Sequence, residues 1–323
     1  MNPAITTKII NSRWFSTIVP AVLGFGLAAL CVRGFKFYGW SLFLGLPVAV
    51  SFLSAFCSSL RRKVSFSSAY WLSTVSLLLL GCFILLFALD GLICLLMAFP
   101  LAMALALIGV LFGRQLGSSC RGGISSAIPL LLVLFFPSLV AFERTTAPIL
   151  PPLRKVTTSV VIHAPMESIW RTVIAFPKIT EPADGIFRFG IAYPIEAYID
   201  GSGVGAVRHC VFSTGSFVEP ITVWQEPTLL AFDVSSSPPP MKELSLYEHI
   251  EAPHLHGHMV SHHGQFLLIQ HGEEVRLEGS TWYTHSLSPQ WYWGPISDYM
   301  IHRIHERVLN HIKLIAELKV HDA

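Results

Sequence analysis

The sequence predicts two parts of different fold class, an all-α transmembrane bundle followed by an α+β domain. Of the 323 residues, 52% are hydrophobic and only 13% are charged, which is too apolar for an ordinary water-soluble protein. Residues 1–150 contain ten Lys/Arg and two Asp/Glu (net +8), whereas 151–323 contain twelve and eighteen (net −6). Long apolar runs fill the first part and short alternating patterns fill the second. The two parts are therefore expected to fold in different solvents.

The first part contains enough apolar sequence for about five membrane spans. A helix needs roughly 20 mostly apolar residues to cross about 30 Å of hydrocarbon. Five runs meet this requirement: 16–32, 39–59, 69–89, 92–113 and 124–142. Only Asp90 and Gly91 separate the third and fourth runs, which predicts a tight hairpin, and four spans is the alternative count. We assign 1–147 to the transmembrane region, 148–154 to a linker and 155–323 to the second domain.

The distribution of basic residues predicts the orientation in the bilayer. With five spans, seven Lys/Arg lie on one side of the membrane and five on the other. This bias predicts a multi-pass integral membrane protein with a cytoplasmic N-terminus and the C-terminal domain on the outer face. With four spans instead of five, the C-terminal domain would lie on the opposite face of the membrane. The five runs contain no Asp, Glu, Lys or Arg, and Asp90 lies at a predicted helix end between two of them, so we interpret the region as an anchor or scaffold rather than a transport path.

The second part begins with a strand and a short helix and ends with a long helix. The stretch "TTSVVIHAP" predicts a strand that enters a turn at Pro165, and "MESIWRTVIAF" predicts a short amphipathic helix. Six strand-like runs follow, among them "FRFGIAYPIEAYI" and "HGHMVSHHGQFLLIQ". A long helix is predicted from about Pro295 to Lys319. Its apolar stripe repeats at helical spacing: Ile296, Met300, Ile304, Val308, Ile312 and Ile315.

Three stretches of the second part carry a resemblance to a known family: "VVIHAPMESIWRTVIAFPKI", "GSGVGAVRHCVFSTGSFVEPITVWQEPTLLAFDV" and, before the final helix, "GSTWYTHSLSPQWYW". Through them residues 155–319 resemble the SRPBCC superfamily, the START-like helix-grip proteins, and in particular its polyketide cyclase/dehydrase-like members. The resemblance implies a curved antiparallel sheet wrapped around the last helix, with a largely apolar cavity between them. Members bind lipids, sterols, polyketides and hormones, and some are enzymes. A fused multi-span region departs from the usual soluble member, and the superfamily has no shared catalytic signature.

The expected ligand cavity lies between the final helix and the concave face of the sheet, with its mouth near an aromatic cluster. The cluster consists of Trp282, Tyr283, Trp291, Tyr292 and Trp293. These rings could fill the core, form a wall of the cavity or contact the membrane interface, and the sequence leaves the three interpretations open. Five ionisable residues lie in predicted strands: Glu196, Arg208, Glu219, Asp233 and Arg276. Arg208 and Glu219 form the first pair to consider, and a pair on the outer face of the sheet is expected. The candidate cavity residues are Arg208, Glu219, Trp282, Tyr283, Tyr292, Trp293, Met300 and Ile304.

Two groups of histidines require comparison with metal sites. The stretch "HLHGHMVSHH" at 254–263 holds five histidines, and a strand would place His254, His256 and His258 on one face about 7 Å apart. No Cys-x-x-Cys or His-Glu-x-x-His pattern accompanies them, so a polar strand face or a strand entry is favoured over zinc. On the last helix Asp298, His302 and His305 share one face, and we favour a solvated face with surface charge pairs there. No metal and no cofactor are predicted.

Three functions remain open on the sequence. The first is a membrane-anchored domain that binds a hydrophobic small molecule or lipid. The second is a cyclase/dehydrase-type enzyme that acts on a polyketide-like or lipid substrate. The third is a protein-interaction module with a vestigial cavity. The glycines of "GSGVG" at 201–205 precede a strand and indicate a hairpin turn, and a net charge of −6 speaks against nucleic acid.

The second part should fold without the membrane region, because residues 151–323 contain a complete set of strands and helices of single-domain length. We expect this fragment to be soluble and to unfold cooperatively on heating, which circular dichroism measures. Persistent aggregation of several fragments with different start points would show that the domain requires the first part.

Overall fold

The computed structural model describes residues 14–60, 62–120, 127–146, 150–247, 255 and 257–321. The chain forms two compact units. The first contains Met1–Ile149 together with Glu243–Pro253 and Leu287–Pro289, and the second contains Leu150–Lys242, His254–Ser286 and Gln290–Ala323. The chain first passes between units at residues 149 and 150, inside the linker predicted at 148–154. The two short segments of the second part that join the first unit were not foreseen.

The first unit consists of five helices in the described residues. They are α1 (Phe15–Ala29), α2 (Leu46–Ser59), α3 (Phe66–Leu86), α4 (Leu92–Ser119) and α5 (Ala127–Thr146). A π-helical turn at Leu30–Gly34 extends α1, and another at Ser41–Gly45 leads into α2. Four candidate spans are long and apolar enough to cross a membrane: Phe15–Gly34, Ser41–Ser59, Phe66–Leu86 and Leu92–Ser119. Helix α5 overlaps the fifth predicted run but is not one of these four, so the span count and the orientation stay predictions.

Small residues let two helices of the first unit approach closely. Gly109, Gly113 and Gly117 recur every fourth residue on α4 and face the backbone of α2. A Cβ atom added at Gly113 would lie 2.3 Å from the carbonyl oxygen of Phe52. Such close backbone contact is typical of helix pairs that carry small residues at i and i+4. Glycine at these positions is therefore required by the packing.

Two carboxylates lie at helix starts within the first unit. Buried Glu143 accepts hydrogen bonds from the backbone N–H groups of Trp40, at 2.5 Å, and Ser41, at 2.9 Å. Glu243 accepts from the N–H groups of Ile93, at 3.0 Å, and Cys94, at 3.2 Å, where α4 begins. The first N–H groups of a helix have no partner within the helix, and its N-terminus carries partial positive charge. Each carboxylate satisfies two of these donors.

The second unit is a seven-stranded antiparallel sheet with helices on one face. Strand β1 (Arg154–Ile162) precedes helix α6 (Met166–Ile174), and helix α7 (Gln290–His321) ends the chain. The remaining strands are β2 (Pro194–Asp200), β3 (Val207–Phe212), β4 (Gly215–Gln225), β5 (Leu229–Asp233), β6 (Met259–His271) and β7 (Glu274–His285). The strand order is β1-β7-β6-β5-β4-β3-β2. This element order and the curled sheet around a long last helix form the predicted helix-grip architecture.

Several predicted boundaries were wrong. The run at 187–199 becomes a strand only at Pro194, because Gly185–Phe189 forms a 3₁₀ turn that ends at Gly190 with φ of 99°. The histidine-rich stretch becomes a strand only at Met259. Helix α7 starts at Gln290, five residues before the predicted start, so the aromatic residues 291–293 belong to its first turn.

Helix α7 rests on the two edges of the sheet. It packs chiefly against β1, and it also contacts β7, β2 and α6. Since β1 and β2 are the edge strands, the sheet must curl for one helix to reach both. Fully buried side chains fill this contact, including Trp170, Leu277, Leu309 and Ile312. The central strands face the helix at a greater distance, which leaves the space described below.

A polar cluster fastens the start of α7 to β1 and β7. Arg154 pairs with Asp298 through both its Nε and its terminal nitrogen, and the Tyr283 hydroxyl donates to Asp298 Oδ1 at 2.7 Å. Partial burial acts to raise the pKa of Asp298, but the hydrogen bonds from Arg154 and Tyr283 outweigh it, so this pKa lies below its usual value. The cluster therefore favours the ionised carboxylate.

Replacing Asp298 with Asn should destabilise the second unit in a pH-dependent manner. A lowered folded pKa contributes stability above the unfolded value of about 4 and loses it as pH falls through the folded pKa. Urea unfolding of the full chain in detergent, followed by circular dichroism, should show a deficit at about pH 7 that shrinks below about pH 4. The exposed Glu273→Gln variant is the control. A deficit that stays constant with pH would contradict the assigned charge.

Candidate ligand cavity

A cavity of about 130 Å³ lies in the second unit between α7 and the concave face of the sheet. Its wall is mainly apolar, and its larger apolar side chains include Phe212, Phe217, Phe232, Phe266, Met300 and Ile304. A small number of polar groups also face it, among them Arg208, Glu219, Thr281 and His305. Exposed Ser237 and His263 lie at its rim. An apolar wall with few convergent polar groups is typical of small-molecule sites.

A glycine on β6 makes room for an aromatic ring of the cavity wall. Gly264 on β6 faces Phe232 of β5, which is its partner in the strand register. A Cβ atom at Gly264 would lie 2.4 Å from the Phe232 ring. Glycine therefore allows the ring to lie flat over β6 instead of displacing it into the cavity. Phe232 and Phe266 then form part of one aromatic wall, with ring centroids 6.2 Å apart.

The most deeply buried charges in this site are Arg208 on β3 and Glu219 on β4. They are directly opposed in the strand register and form a hydrogen-bonded ion pair. The Arg208 side chain is 1% exposed and the Glu219 side chain is 8% exposed. Arg208 Nε also donates to the carbonyl oxygen of Ile174, at 3.1 Å. The pair faces the core, so the expectation that it bridges the outer face was wrong.

Aromatic rings surround the Arg208 guanidinium. Its central carbon lies 5.7 Å from the Phe176 ring centroid, 5.8 Å from that of Phe232 and 5.5 Å from that of Phe266. Such contacts attract a desolvated cation to the ring faces. Burial raises the pKa of Glu219, and Arg208 opposes that rise. Burial also raises the pKa of the Cys210 thiol to about 12, so this cysteine is a neutral wall residue.

A second polar group connects the cavity with the interface between α7 and the sheet. His305 Nε2 lies 2.8 Å from Thr281 Oγ1, and His305 Nδ1 lies 3.1 Å from Thr158 Oγ1. Thr158 Oγ1 also lies 2.7 Å from His302 Nδ1. Burial, and secondly the charge of His302, lowers the pKa of His305 to about 4. His305 is therefore neutral near pH 7, with one ring nitrogen available to accept a proton.

Four of the eight predicted cavity residues lie in the cavity wall: Arg208, Glu219, Met300 and Ile304. The other four are placed elsewhere. Trp282 points to the opposite face of β7, where Lys155 Nζ lies 4.5 Å above its ring. Tyr283 is buried against Asp298, Trp293 is buried in the first turn of α7, and Tyr292 lies between Trp291 and Trp293. The predicted mouth at these aromatics was therefore misplaced, because the early start of α7 carries Tyr292 and Trp293 into the helix, and on β7 Trp282 points away from the cavity while Tyr283 binds Asp298.

Of the three histidines expected on one strand face, the structure describes only His258, which lies at the entry to β6. His258 precedes β6 and lies 2.6 Å from Ser286 Oγ through its Nδ1, whereas His254 and His256 lie outside the described residues. On β6, His262 Nε2 lies 2.9 Å from Thr284 Oγ1 and His263 Nδ1 lies 2.6 Å from Asp233 Oδ1. Among the described residues no group of three or more His, Cys, Asp or Glu side chains is arranged to hold a metal.

The expectation of a solvated face at Asp298, His302 and His305 holds only for its outer part, since the side chain of His302 is 44% exposed. The rest of this face packs on β1 and β7, because Asp298 binds Arg154 and the two histidines share Thr158. Arg303 pairs with Glu306 and with Asp184. The helix therefore presents its polar stripe to the sheet edge, and its apolar side chains are divided between the core and the cavity.

The sequence analysis missed Thr158, Thr281 and the Pro-rich loop at 238–240 that helps to line the cavity. Alternation along β1 would have placed Thr158 on the inner face, because Val156 and Val160 lie two residues before and after it. Thr281 is paired with Val156 in the register and lies on the same face. Their meeting with His305 depends on the rotation of α7. No local signal in the sequence fixes that rotation.

Comparison with known proteins yields structural likenesses only. No protein-family model and no curated protein sequence matches the chain. The second half is similar to XoxI from Bacillus cereus (13% identity, 52% of this chain and 97% of that one, TM-score 0.32). It is also similar to norcoclaurine synthase from Thalictrum flavum, solved with dopamine and hydroxybenzaldehyde (10% identity, 52% of this chain and 88% of that one, TM-score 0.33). A third similar structure is ginseng major latex-like protein 151 (13% identity, 51% of this chain and 97% of that one, TM-score 0.31). TM-scores of this size support no conclusion, so the helix-grip assignment rests on strand order and helix packing.

Breaking the Arg208–Glu219 pair should destabilise the second unit, and more so when the glutamate is lost. A lone buried carboxyl escapes by taking up a proton, whereas a guanidinium cannot lose one. We expect Glu219→Leu to cost about 3–5 kcal/mol and Arg208→Leu less. The double variant should cost less than the sum of the two. Urea unfolding of the full chain measures all three, and equal, additive losses would contradict the pairing.

Proposed function

We propose that this protein is a membrane-anchored helix-grip protein of the SRPBCC type that binds a hydrophobic small molecule or lipid in the cavity between the sheet and α7. The single observation that carries the proposal is an apolar cavity with a few buried polar groups at one wall. Water gains little by filling such a space, whereas an apolar ligand removes its own surface and that of the wall from water. The polar groups would then orient the one polar end of the ligand.

The size of the cavity limits the ligand. A volume of about 130 Å³ is smaller than the roughly 300–1,000 Å³ of drug-sized pockets. It is close to the roughly 150 Å³ of an apolar cavity that binds benzene in another protein. One or two fused rings, or a short segment of an acyl chain, suit this space. A whole sterol would require the wall to move.

The membrane part of the proposal rests on the four long apolar helices of the first unit. A bilayer both anchors the protein and concentrates apolar molecules, so a ligand-binding domain on the same chain would be supplied locally. We propose the bilayer as the partner of this unit, with the N-terminus in the cytoplasm and the C-terminal domain on the outer face. Nucleic acid is not proposed as a partner.

A cyclase/dehydrase-type enzyme is the second candidate function. The observation that favours it is the neutral His305 in the cavity wall, held through both ring nitrogens by Thr158 and Thr281. A positioned base beside an apolar space is one requirement of proton-transfer catalysis. The ligand-binding proposal needs only the space itself.

Filling the cavity should abolish ligand retention. Met300 is 7% exposed and lines the cavity, so a Met300→Trp side chain would occupy the space. Leu314 lies on the same helix with 45% exposure, and Leu314→Trp is the matched control. Small molecules released from the full chain purified in detergent are identified by mass spectrometry. We expect wild type and control to retain the same apolar compound and Met300→Trp to retain about tenfold less or none.

Two outcomes would contradict the proposal. One is retention at the wild-type level by a Met300→Trp protein whose circular dichroism spectrum is unchanged. The other is the absence of any retained compound in all three proteins together with failure to bind small ring compounds, which would favour an interaction module with a vestigial cavity.

A further inference from the structure

A line of hydrogen-bonding groups connects the cavity wall with the outside of the second unit. It starts at Thr281 Oγ1, passes through both nitrogens of His305 to Thr158 Oγ1, and continues to His302 Nδ1, with distances of 2.8, 3.1 and 2.7 Å. From the other ring nitrogen of His302, Nε2, Glu306 Oε1 lies 3.4 Å away. Three successive contacts thus have hydrogen-bond geometry, and the fourth brings a carboxylate to the last imidazole.

The two ends of the line differ in environment. Thr281 and His305 lie in the cavity wall. The side chain of His302 is 44% exposed and that of Glu306 is 33% exposed, so this end exchanges protons with water. Thr158 lies between the ends and is 5% exposed. The middle of the line is therefore screened from solvent.

Every group in the line can both accept and donate a proton. A neutral imidazole donates from one nitrogen and accepts at the other, and a hydroxyl does both. Thr158 Oγ1 faces two Nδ1 atoms, so it can accept from one histidine while it donates to the other. Such an arrangement reverses its direction when each proton moves to the next group. A purely structural contact between one threonine and one histidine would not need the second imidazole.

We propose that this line is a proton relay, and that His305 and Thr281 carry out proton exchange next to the carbonyl group of a small apolar ketone or aldehyde in the cavity. The inference rests on the proposed function, since the carbonyl compound occupies the same apolar cavity. It adds an activity, reversible enolisation, and assigns the cavity end of the relay to His305 and Thr281 as catalytic residues. Thr158 and His302 are positioning residues that act through His305.

The step balances without a further reactant. His305 Nε2 takes the proton from the carbon next to the carbonyl, and the electron pair of that C–H bond moves to the carbonyl oxygen, which becomes an enolate. The Thr281 hydroxyl turns from Nε2 and donates to this oxygen. His305 passes its Nδ1 proton to Thr158, Thr158 passes its own to His302 Nδ1, and His302 releases the Nε2 proton to water. The reverse sequence returns a solvent proton to the carbon.

The electrostatics of the site set the protonation state from which transfer starts. The lowered pKa of His305 keeps it neutral near pH 7, which is the form that accepts a proton. The same burial makes the imidazolium a stronger acid than an exposed one, so it passes the proton on to Thr158, and it makes Nε2 a correspondingly weaker base. The apolar rings of the wall limit access of water to the enolate.

Deuterium exchange into 2-indanone, a small bicyclic ketone, tests the relay. The full chain in detergent is incubated with the ketone in D₂O, and mass spectrometry follows deuterium at the carbons beside the carbonyl. Ketone binding is measured separately by NMR line broadening. The variants are His305→Gln, Thr158→Val and Thr158→Ser. His262→Gln is the matched control, because His262 also contacts a threonine hydroxyl, that of Thr284, but belongs neither to the cavity wall nor to the relay.

We expect exchange above the empty-detergent background in wild type and in His262→Gln. His305→Gln should lose it by about 10²-fold, as is typical for removal of a general base. Thr158→Val should bind the ketone with unchanged affinity yet exchange about tenfold more slowly, because the captured proton returns to the same carbon, and Thr158→Ser should restore the rate. A merely structural role of Thr158 would change affinity and rate together.

The outcomes separate this inference from the proposed function. If 2-indanone binds and Met300→Trp prevents binding, the cavity proposal stands. Exchange at the background rate, or equal exchange in wild type and in folded Thr158→Val, then overturns the relay alone. If 2-indanone does not bind while wild type retains an apolar compound that Met300→Trp loses, the relay is overturned and the cavity proposal stands. If wild type neither binds 2-indanone nor retains or binds any apolar compound, both proposals fail.

Discussion

The contact between α7 and the edges of the sheet is the constraint on which the rest of the second unit depends. One helix of 32 residues rests on β1 and also reaches β2 at the other edge. A flat sheet of seven strands is about 30 Å wide at its strand spacing, far wider than a helix, so both contacts require a curled sheet. The cavity is a consequence of this curl, because the central strands lie away from the helix axis.

The contact is held by polar groups on one side and by apolar groups on the other. On the β1 and β7 side, Asp298 binds Arg154 and Tyr283, and Thr158 lies between two histidines. Directional hydrogen bonds fix the rotation of a helix more narrowly than apolar packing does, since the latter is non-directional. The rotation of α7 decides which of its side chains enter the cavity. Polar contacts therefore position an apolar site.

The two most deeply buried charges of the second unit compensate each other. Arg208 and Glu219 are opposed across two strands and surrounded by phenylalanine rings, so the cost of burying each charge is offset by its partner. In the first unit Glu143 and Glu243 are compensated by hydrogen bonds, since each accepts from two backbone N–H groups at a helix start. In both units these carboxylates therefore connect one element of the fold to another.

The sequence by itself determined the division into an apolar helical part and an α+β part, because hydropathy and strand alternation are properties of neighbouring residues. It also predicted the strand–helix–six strands–helix order, and it placed Arg208, Glu219, Met300 and Ile304 on the elements that line the cavity. It could not decide the roles of Trp282 and Tyr283, since adjacent residues on a strand face opposite sides and a shift of one residue exchanges them. Only the tertiary structure brought Thr158, Thr281, His302 and His305 together. These four residues come from two strands and a helix, 144 positions separate Thr158 from His302, and their meeting depends on strand register and helix rotation. Segment 243–247 likewise joins the first unit through contacts that no local pattern encodes.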